Sequence, residues 1–108
     1  VLRCRVAESS LDEALAAQDA GASYVNIGPI FSTQTKNVSG GAIGPEAIDA
    51  IRPHLHVPWT TMGGIKLHNI RQVLERGTRH VAVVTAVTAA DDVRAAATAL
   101  RKQILQAR

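Results

Sequence analysis

Aromatic side chains are scarce in this chain: Tyr24, Phe31 and Trp59 are the three among 108 residues. Proteins that grip single-stranded nucleic acid stack bases on such rings, so that class of partner is argued against from the outset. Cysteine is scarcer still. Cys4 stands alone, which excludes an internal disulfide; its apolar neighbours suit a buried thiol, and no zinc-ligand spacing surrounds it. Long hydrophobic runs are missing, and none approaches the ~20 residues of a membrane span. No secretory leader is visible, so a cytoplasmic location is the default expectation. A block of one charge sign is also missing. Twelve Lys plus Arg against nine Asp plus Glu give a formal charge of +3, with no basic run beyond Arg101-Lys102. Scattered charge of this kind reads as a solvated surface rather than a nucleic-acid face. Finally, no initiator Met is present. The chain opens Val1-Leu-Arg-Cys-Arg-Val-Ala7, as though already inside a strand, and the expectation is a piece of a longer chain.

What is present is a regular alternation. Apolar residues make up 46% of the sequence, enough for the core of one small domain over residues 1–108. Strand one is expected at Val1–Ala7. Ser10 then precedes Glu13 by three positions, a capping box, and Leu11, Ala14, Leu15 and Gln18 follow at helical spacing up to Gly21. Strand two is expected at Ser23–Gly28, followed by a long loop over Pro29–Gly44. Pro45 opens the next helix, with Ile48 and Ile51 inward. Strand three is Val57–Met62, and a helix over Leu67–Arg76 ends at Gly77. Strand four, His80–Thr85, is rich in β-branched residues, and the last helix starts near Asp91 and buries Val93, Ala96, Ala97, Leu100 and Ile104. Four strands each followed by a helix imply parallel pairing in an α/β fold, because each helix returns the chain across the sheet. The continuous apolar run Val81-Ala-Val-Val84 fits a strand covered on both faces.

Chemistry in parallel sheets and barrels gathers at the strands' carboxyl ends. Two loops there stand out. Thr33, Gln34, Thr35 and Lys36 follow strand two and bring two hydroxyls and an ammonium together, a set that suits phosphate. Met62-Gly-Gly-Ile65 ends strand three, where bare backbone lets an anion approach peptide N–H groups. On residue types alone, an ordinary solvated loop and a strand-ending turn explain the same segments. Asp91-Asp92 reads as cap chemistry for the last helix rather than a metal pair. His54, His56 and His80 fall at the amino ends of strands, away from these loops, whereas His68 lies near the Gly-Gly turn. Trp59 and Asn26 read as packing and hydrogen-bonding core residues.

At these loops the sequence resembles the thiamine phosphate synthase family. The segments that carry the likeness are Gly21-Ala-Ser-Tyr-Val25, Gly28-Pro-Ile-Phe-Ser-Thr-Gln-Thr-Lys36, Met62-Gly-Gly-Ile65 and Val81-Ala-Val-Val-Thr-Ala-Val87. The resemblance implies a (β/α)8 barrel of about twice this length, with this chain as its C-terminal half, strands five to eight. It implies an enzyme of thiamine biosynthesis, a transferase that joins a hydroxymethylpyrimidine diphosphate to a thiazole phosphate and releases pyrophosphate with Mg²⁺. It further implies that Thr33, Gln34 and Thr35 hold the thiazole phosphate, that Lys36 meets the pyrimidine's diphosphate, and that Gly64, Val84 and Thr85 complete the phosphate pocket. Thr85 stands where the family usually has Ser and keeps the hydroxyl. Two positions depart further: Ala7 replaces a Ser that contacts the pyrimidine, and Ser9 occupies a position that is often His. Related thiazole tautomerases use such a His in acid–base work, so its absence favours the synthase branch.

The family's Mg²⁺-binding aspartates belong to strands two to four of the barrel, and no counterpart exists in this sequence. The isolated chain is therefore expected to be inactive, because Lys36 alone cannot neutralise a departing pyrophosphate. Four strands cannot close a barrel either, and the expectation is self-association or assembly with a complementary N-terminal half. A non-catalytic phosphate-binding half-barrel and a tautomerase-like enzyme are the alternatives.

Overall fold

The computed structural model describes residues 9–31 and 42–107. The expected strand at Val1–Ala7, with Cys4, lies outside the described residues, and so does the segment holding Thr33, Gln34, Thr35 and Lys36.

Local signals set the first helix. Helix α1 (Leu11–Asp19) begins where Ser10, in extended conformation, accepts a hydrogen bond on Oγ from the Glu13 N–H at 3.2 Å. The Glu13 carboxylate reaches back and accepts from the Ser9 hydroxyl at 2.6 Å, the Ser10 hydroxyl at 3.2 Å and the Ser9 N–H at 3.3 Å. The helix ends at Gly21, whose φ of +93° only glycine adopts without cost. There the Gly21 N–H bonds Gln18 O and the Ala22 N–H bonds Ala17 O, each at 3.1 Å, which closes the last turn. Gln18 then clamps the helix to the chain entering the second strand: its amide donates to His54 O at 3.2 Å and accepts from the His56 N–H at 2.6 Å.

The cap has a pH signature. The Ser9 hydroxyl, followed by that of Ser10, holds the Glu13 carboxyl below its ordinary range. A depressed folded-state value means the cap's contribution is full above the ordinary carboxylate pKa of ~4.3 and fades as pH falls through the lowered value. Ser10→Ala is expected to cost about 1 kcal/mol at neutral pH. It should also flatten the stability slope below pH ~4.3, measured by urea unfolding at several pH values. An unchanged slope would assign the acid sensitivity elsewhere.

Strand β1 (Val25–Ile27) pairs in parallel with β2 (Trp59–Thr61), with Val25 opposite Trp59, Asn26 opposite Thr60 and Ile27 opposite Thr61. On the far side of β2, Thr61 lies opposite Val81 in a single parallel bridge, held by Thr61 N–H to His80 O at 3.1 Å and Ala82 N–H to Thr61 O at 2.9 Å. Helix α2 (Glu46–Ile51) connects β1 to β2 through a short 3₁₀ turn, Arg52–His54. Helix α3 (Ile70–Leu74) follows β2 and stops at Gly77, φ +94°, with the same pair of closing bonds. Helices α4 (Thr85–Thr88) and α5 (Val93–Gln106) complete the order. Asp92 caps α5 by accepting from the Ala95 N–H at 3.0 Å, the role expected of the Asp91-Asp92 pair. The core lies between the sheet and its helices: Val25 and Ile27 meet Ala14 and Ala17 of α1, Ile48 and Ile51 of α2, and Ile70 and Val73 of α3.

The architecture is α/β with parallel pairing, but the described residues hold two named strands, not a complete four-strand array. Strand four contracts to the Val81 bridge, and Thr85 opens a helix instead of ending a strand. Gly63 and Gly64, at φ +105° and +64°, turn β2 aside directly after Met62, so the chain beyond Ala82 has no ladder partner on that side. The run at 81–84 is not covered on both faces: Val81 and Val83 pack on the core while Ala82 and Val84 are exposed. The third helix begins at Ile70 rather than Leu67, because Lys66–Asn69 form a separate turn. In α5 the inward line runs through Ala96, Leu100 and Ile104, whereas Val93 and Ala97 are exposed, Ala97 at the rim of a crevice shared with Val81 and Val83. That helix rests on α3 and α4, and an i, i+4, i+8 line is all that such a seat requires.

Candidate functional site

Three loops converge at the carboxyl ends of β1, β2 and the Val81 bridge. The first two are laced together by backbone. Met62 N–H donates to Ile27 O at 3.0 Å, Ile30 N–H to Met62 O at 2.9 Å, and Phe31 N–H to Gly63 O at 2.9 Å. Contact is close enough that a Cβ on Gly63 would lie 2.5 Å from Pro29 Cα and 2.7 Å from Ile30 N.

Asn69 fixes the second loop. It is 8% exposed. Its Oδ1 accepts from the Lys66 N–H at 2.7 Å, and its Nδ2 donates to Gly64 O at 3.0 Å. One buried amide thus sets the backbone from Gly64 to Lys66. Lys66 then reaches the third loop, and its Nζ donates to Thr85 Oγ1 at 2.5 Å. Beside this bond lies an open cleft of about 530 Å³, lined among others by Lys66, His68, Thr85, Ala86, Ala90 and Leu100.

Gly64 and Thr85 are thus brought to neighbouring loops and joined through Lys66. Val84 precedes Thr85 and is 54% exposed. Thr33, Gln34, Thr35 and Lys36 lie outside the described residues, as does Ala7. Ser9 belongs to the α1 cap. His68 lines the cleft and is exposed, while His56 and His80 line a separate depression at the strands' amino ends. Asn26 accepts from the Thr60 hydroxyl across the paired strands. Lys66 and Asn69 are the residues that sequence reasoning passed over. Asn69 makes the reach-back bond of a capping box, but Lys-x-x-Asn lacks the Ser/Thr and Glu/Gln that mark one in a sequence, and the Lys66 partner is distant in the chain.

Among the described residues no group of three His, Cys, Asp or Glu side chains could hold a metal ion, and no carboxylate lines the cleft. A hard cation such as Mg²⁺ takes oxygen ligands, and this donor set does not fit it.

A family model described as thiamine monophosphate synthase matches residues 6–87. The chain belongs to that family. Its relatives include the thiamine-phosphate synthase of Chloroflexus aurantiacus, 46% identical over 96 residues, which cover 89% of this chain and 44% of that one. The thiamine-phosphate synthase of Moorella thermoacetica is 40% identical over 103 residues, 95% of this chain and 49% of its own. Among solved structures, a thiamine phosphate pyrophosphorylase from Pyrococcus furiosus superposes with a TM-score of 0.84 at 37% identity, over 94% of this chain and 48% of that one. The chain spans about half the length of these family members. A native KDPGal structure, at 21% identity and a TM-score of 0.73, shares the fold. No described helix is long and apolar enough to cross a membrane.

Proposed function

We propose that this chain acts in thiamine biosynthesis as the phosphate-binding C-terminal half of a (β/α)8 thiamine phosphate synthase. In that reading Thr33, Gln34 and Thr35 hold the thiazole phosphate, and Gly64, Val84 and Thr85 complete its pocket. Lys36 meets the diphosphate of the hydroxymethylpyrimidine. The thiazole nitrogen forms the new bond to the pyrimidine's exocyclic methylene, and the bond to pyrophosphate breaks with its electron pair leaving on oxygen. The contribution of this half is positioning: a phosphate remote from the reacting nitrogen is gripped so that the nucleophile is held for attack. Mg²⁺, the cation that would neutralise the departing pyrophosphate, is assigned to the other half of the barrel, since the donors here do not suit it.

The observation that carries the reading is the convergence of Gly64 and Thr85, on loops after successive strands, through the Asn69–Lys66 link. Barrel enzymes often bind phosphate at the loops after strands seven and eight. Calorimetric titration tests it. The 108-residue chain should bind thiazole phosphate at least tenfold more tightly than the unphosphorylated thiazole alcohol, about 1.4 kcal/mol. Equal binding of the two would overturn the assignment.

A further inference from the structure

We propose that Lys66 is itself a ligand of the phosphate ester, a second ammonium that the sequence motif does not contain. The inference rests on the reading of the site given above and adds to it the group that supplies charge on the Thr85 side.

The argument begins with the hydrogen bond. The Lys66 ammonium carries three donors and no acceptor. One donor is spent on Thr85 Oγ1, at 2.5 Å. The Thr85 oxygen is the acceptor in that bond, so its own O–H is left to donate. The pair therefore presents mostly donors: the threonine hydroxyl and the remaining ammonium hydrogens, against one lone pair left on Oγ1. A donor-rich pair carrying a positive charge calls for an acceptor, and an anion answers it best.

The surroundings agree. Among the described residues the ion pair is Arg76 with Asp49, and Lys66 makes none. Among the described residues no carboxylate lines the cleft beside it. A side chain holding together two loops could have been a neutral residue; an ammonium without a counter-charge, half-buried at the mouth of a cleft, is better suited to a ligand that brings its own negative charge. The geometry is also built rather than incidental. Asn69 accepts from the Lys66 N–H and donates to the Gly64 carbonyl, so the backbone that carries the lysine is fixed to the glycine turn, and the ammonium is placed by its bond to Thr85. A phosphate monoester carries ≈ −1.5 to −2 charges at neutral pH and three acceptor oxygens. It can meet the glycine turn, the Thr85 hydroxyl and the Lys66 ammonium with separate oxygens.

A merely structural role for Lys66, linking the α3 and α4 loops, predicts something different. It would alter the stability of the unliganded chain and leave the preference for a phosphorylated ligand untouched. The test titrates the whole 108-residue chain with thiazole phosphate, the thiazole alcohol and inorganic phosphate; all the contacts named lie within this chain. Lys66→Met should weaken binding of the ester by about tenfold while leaving the alcohol within twofold. Lys66→Arg should restore most of the loss. Lys102→Met, which removes the same charge from the exposed side of α5, should leave ester binding unchanged. Wild-type preference for the ester, with Lys66→Met binding it as tightly as the wild type, overturns the role of Lys66 and leaves the proposed function standing. A wild-type chain that does not distinguish ester from alcohol overturns the proposed function itself, and this inference with it. Equal wild-type affinity for ester and inorganic phosphate, both weakened by Lys66→Met, keeps Lys66 as the ligand and removes the thiazole ring from the recognition.

Discussion

Gly63→Ala is expected to lower the stability of the chain by roughly 2–5 kcal/mol, far more than alanine at another left-handed glycine. Two costs add. The residue sits at φ +105°, where an L side chain is strained. The new Cβ would also stand 2.5 Å from Pro29 Cα and 2.7 Å from Ile30 N. Those obstacles are backbone, so no rotamer change relieves them. Relief requires the Gly28–Phe31 segment to withdraw, which breaks the Ile30–Met62 and Phe31–Gly63 hydrogen bonds that lace the first two loops. Gly21→Ala provides the comparison. Its φ is +93°, nearly the same, yet no atom lies within 4 Å of the added Cβ. It should cost only the conformational part, about 1 kcal/mol. Thermal unfolding of both variants separates the effects, with a fall of roughly 10–30 °C for Gly63→Ala against under ~10 °C for Gly21→Ala. Equal losses would show that the loop yields freely and that the approach of Pro29 to Gly63 does not constrain the site. Gly63→Ala should also abolish preferential binding of thiazole phosphate, since the turn and the segment leading to Thr33 would part.

That close approach shows what kind of information the sequence made legible. Features set within a few residues read well. Ser10 with Glu13, Gly21, Gly77 and Asp92 are start and stop signals whose partners lie one turn away, and each sits at its expected helix end. Strands β1 and β2 were legible because apolar runs lay between such signals, though only their middle residues pair. Strand four shows why propensity is not pairing. Val81-Ala-Val-Val84 has the composition of a strand, but a ladder needs a neighbour, and the left-handed glycines after Met62 carry that neighbour away. The face of α5 was ambiguous for a different reason. Ala95, Ala96, Ala97 and Ala99 give nearly every side of the first turns the same apolar character, so periodicity could not exclude Val93 and Ala97 from the buried line. At the site, glycines and hydroxyls were legible as residue types that suit phosphate. Lys66 was not, because its partner Thr85 lies 19 residues further on and is met only after β2, α3 and the Val81 bridge are in place.

Undetectable condensation of thiazole phosphate with hydroxymethylpyrimidine diphosphate is the expected result for the purified chain, and strong turnover after it is mixed with the N-terminal half of a family synthase. Register divides the sheet into two faces. Val25, Ile27, Thr61 and Val81 share the face packed by helices. Asn26 and Thr60 hydrogen-bond on the opposite face, where Ala82 and Val84 are exposed. In a closed barrel that second face is interior, filled by layers of side chains from alternate strands. The exposed Ala82 and Val84 on that face favour a partner that covers them. The isolated chain should therefore associate with itself at high concentration, and light scattering showing a stable monomer there would overturn the half-barrel reading. A complementary N-terminal half would be a better partner, because it would close the ladder as well as cover the face. It would also bring the cation chemistry that a departing pyrophosphate demands; among the described residues no carboxylate lines the cleft beside Lys66, His68 and Thr85. Turnover by the purified 108-residue chain alone would refute this division of labour. So would a mixture of halves that assembles into one particle and remains inactive while the chain still prefers the phosphate ester: the grip on the nucleophile would then exist without serving the condensation. Positioning through a remote phosphate can be worth several orders of magnitude in rate, but only when the electrophile is held in the same barrel.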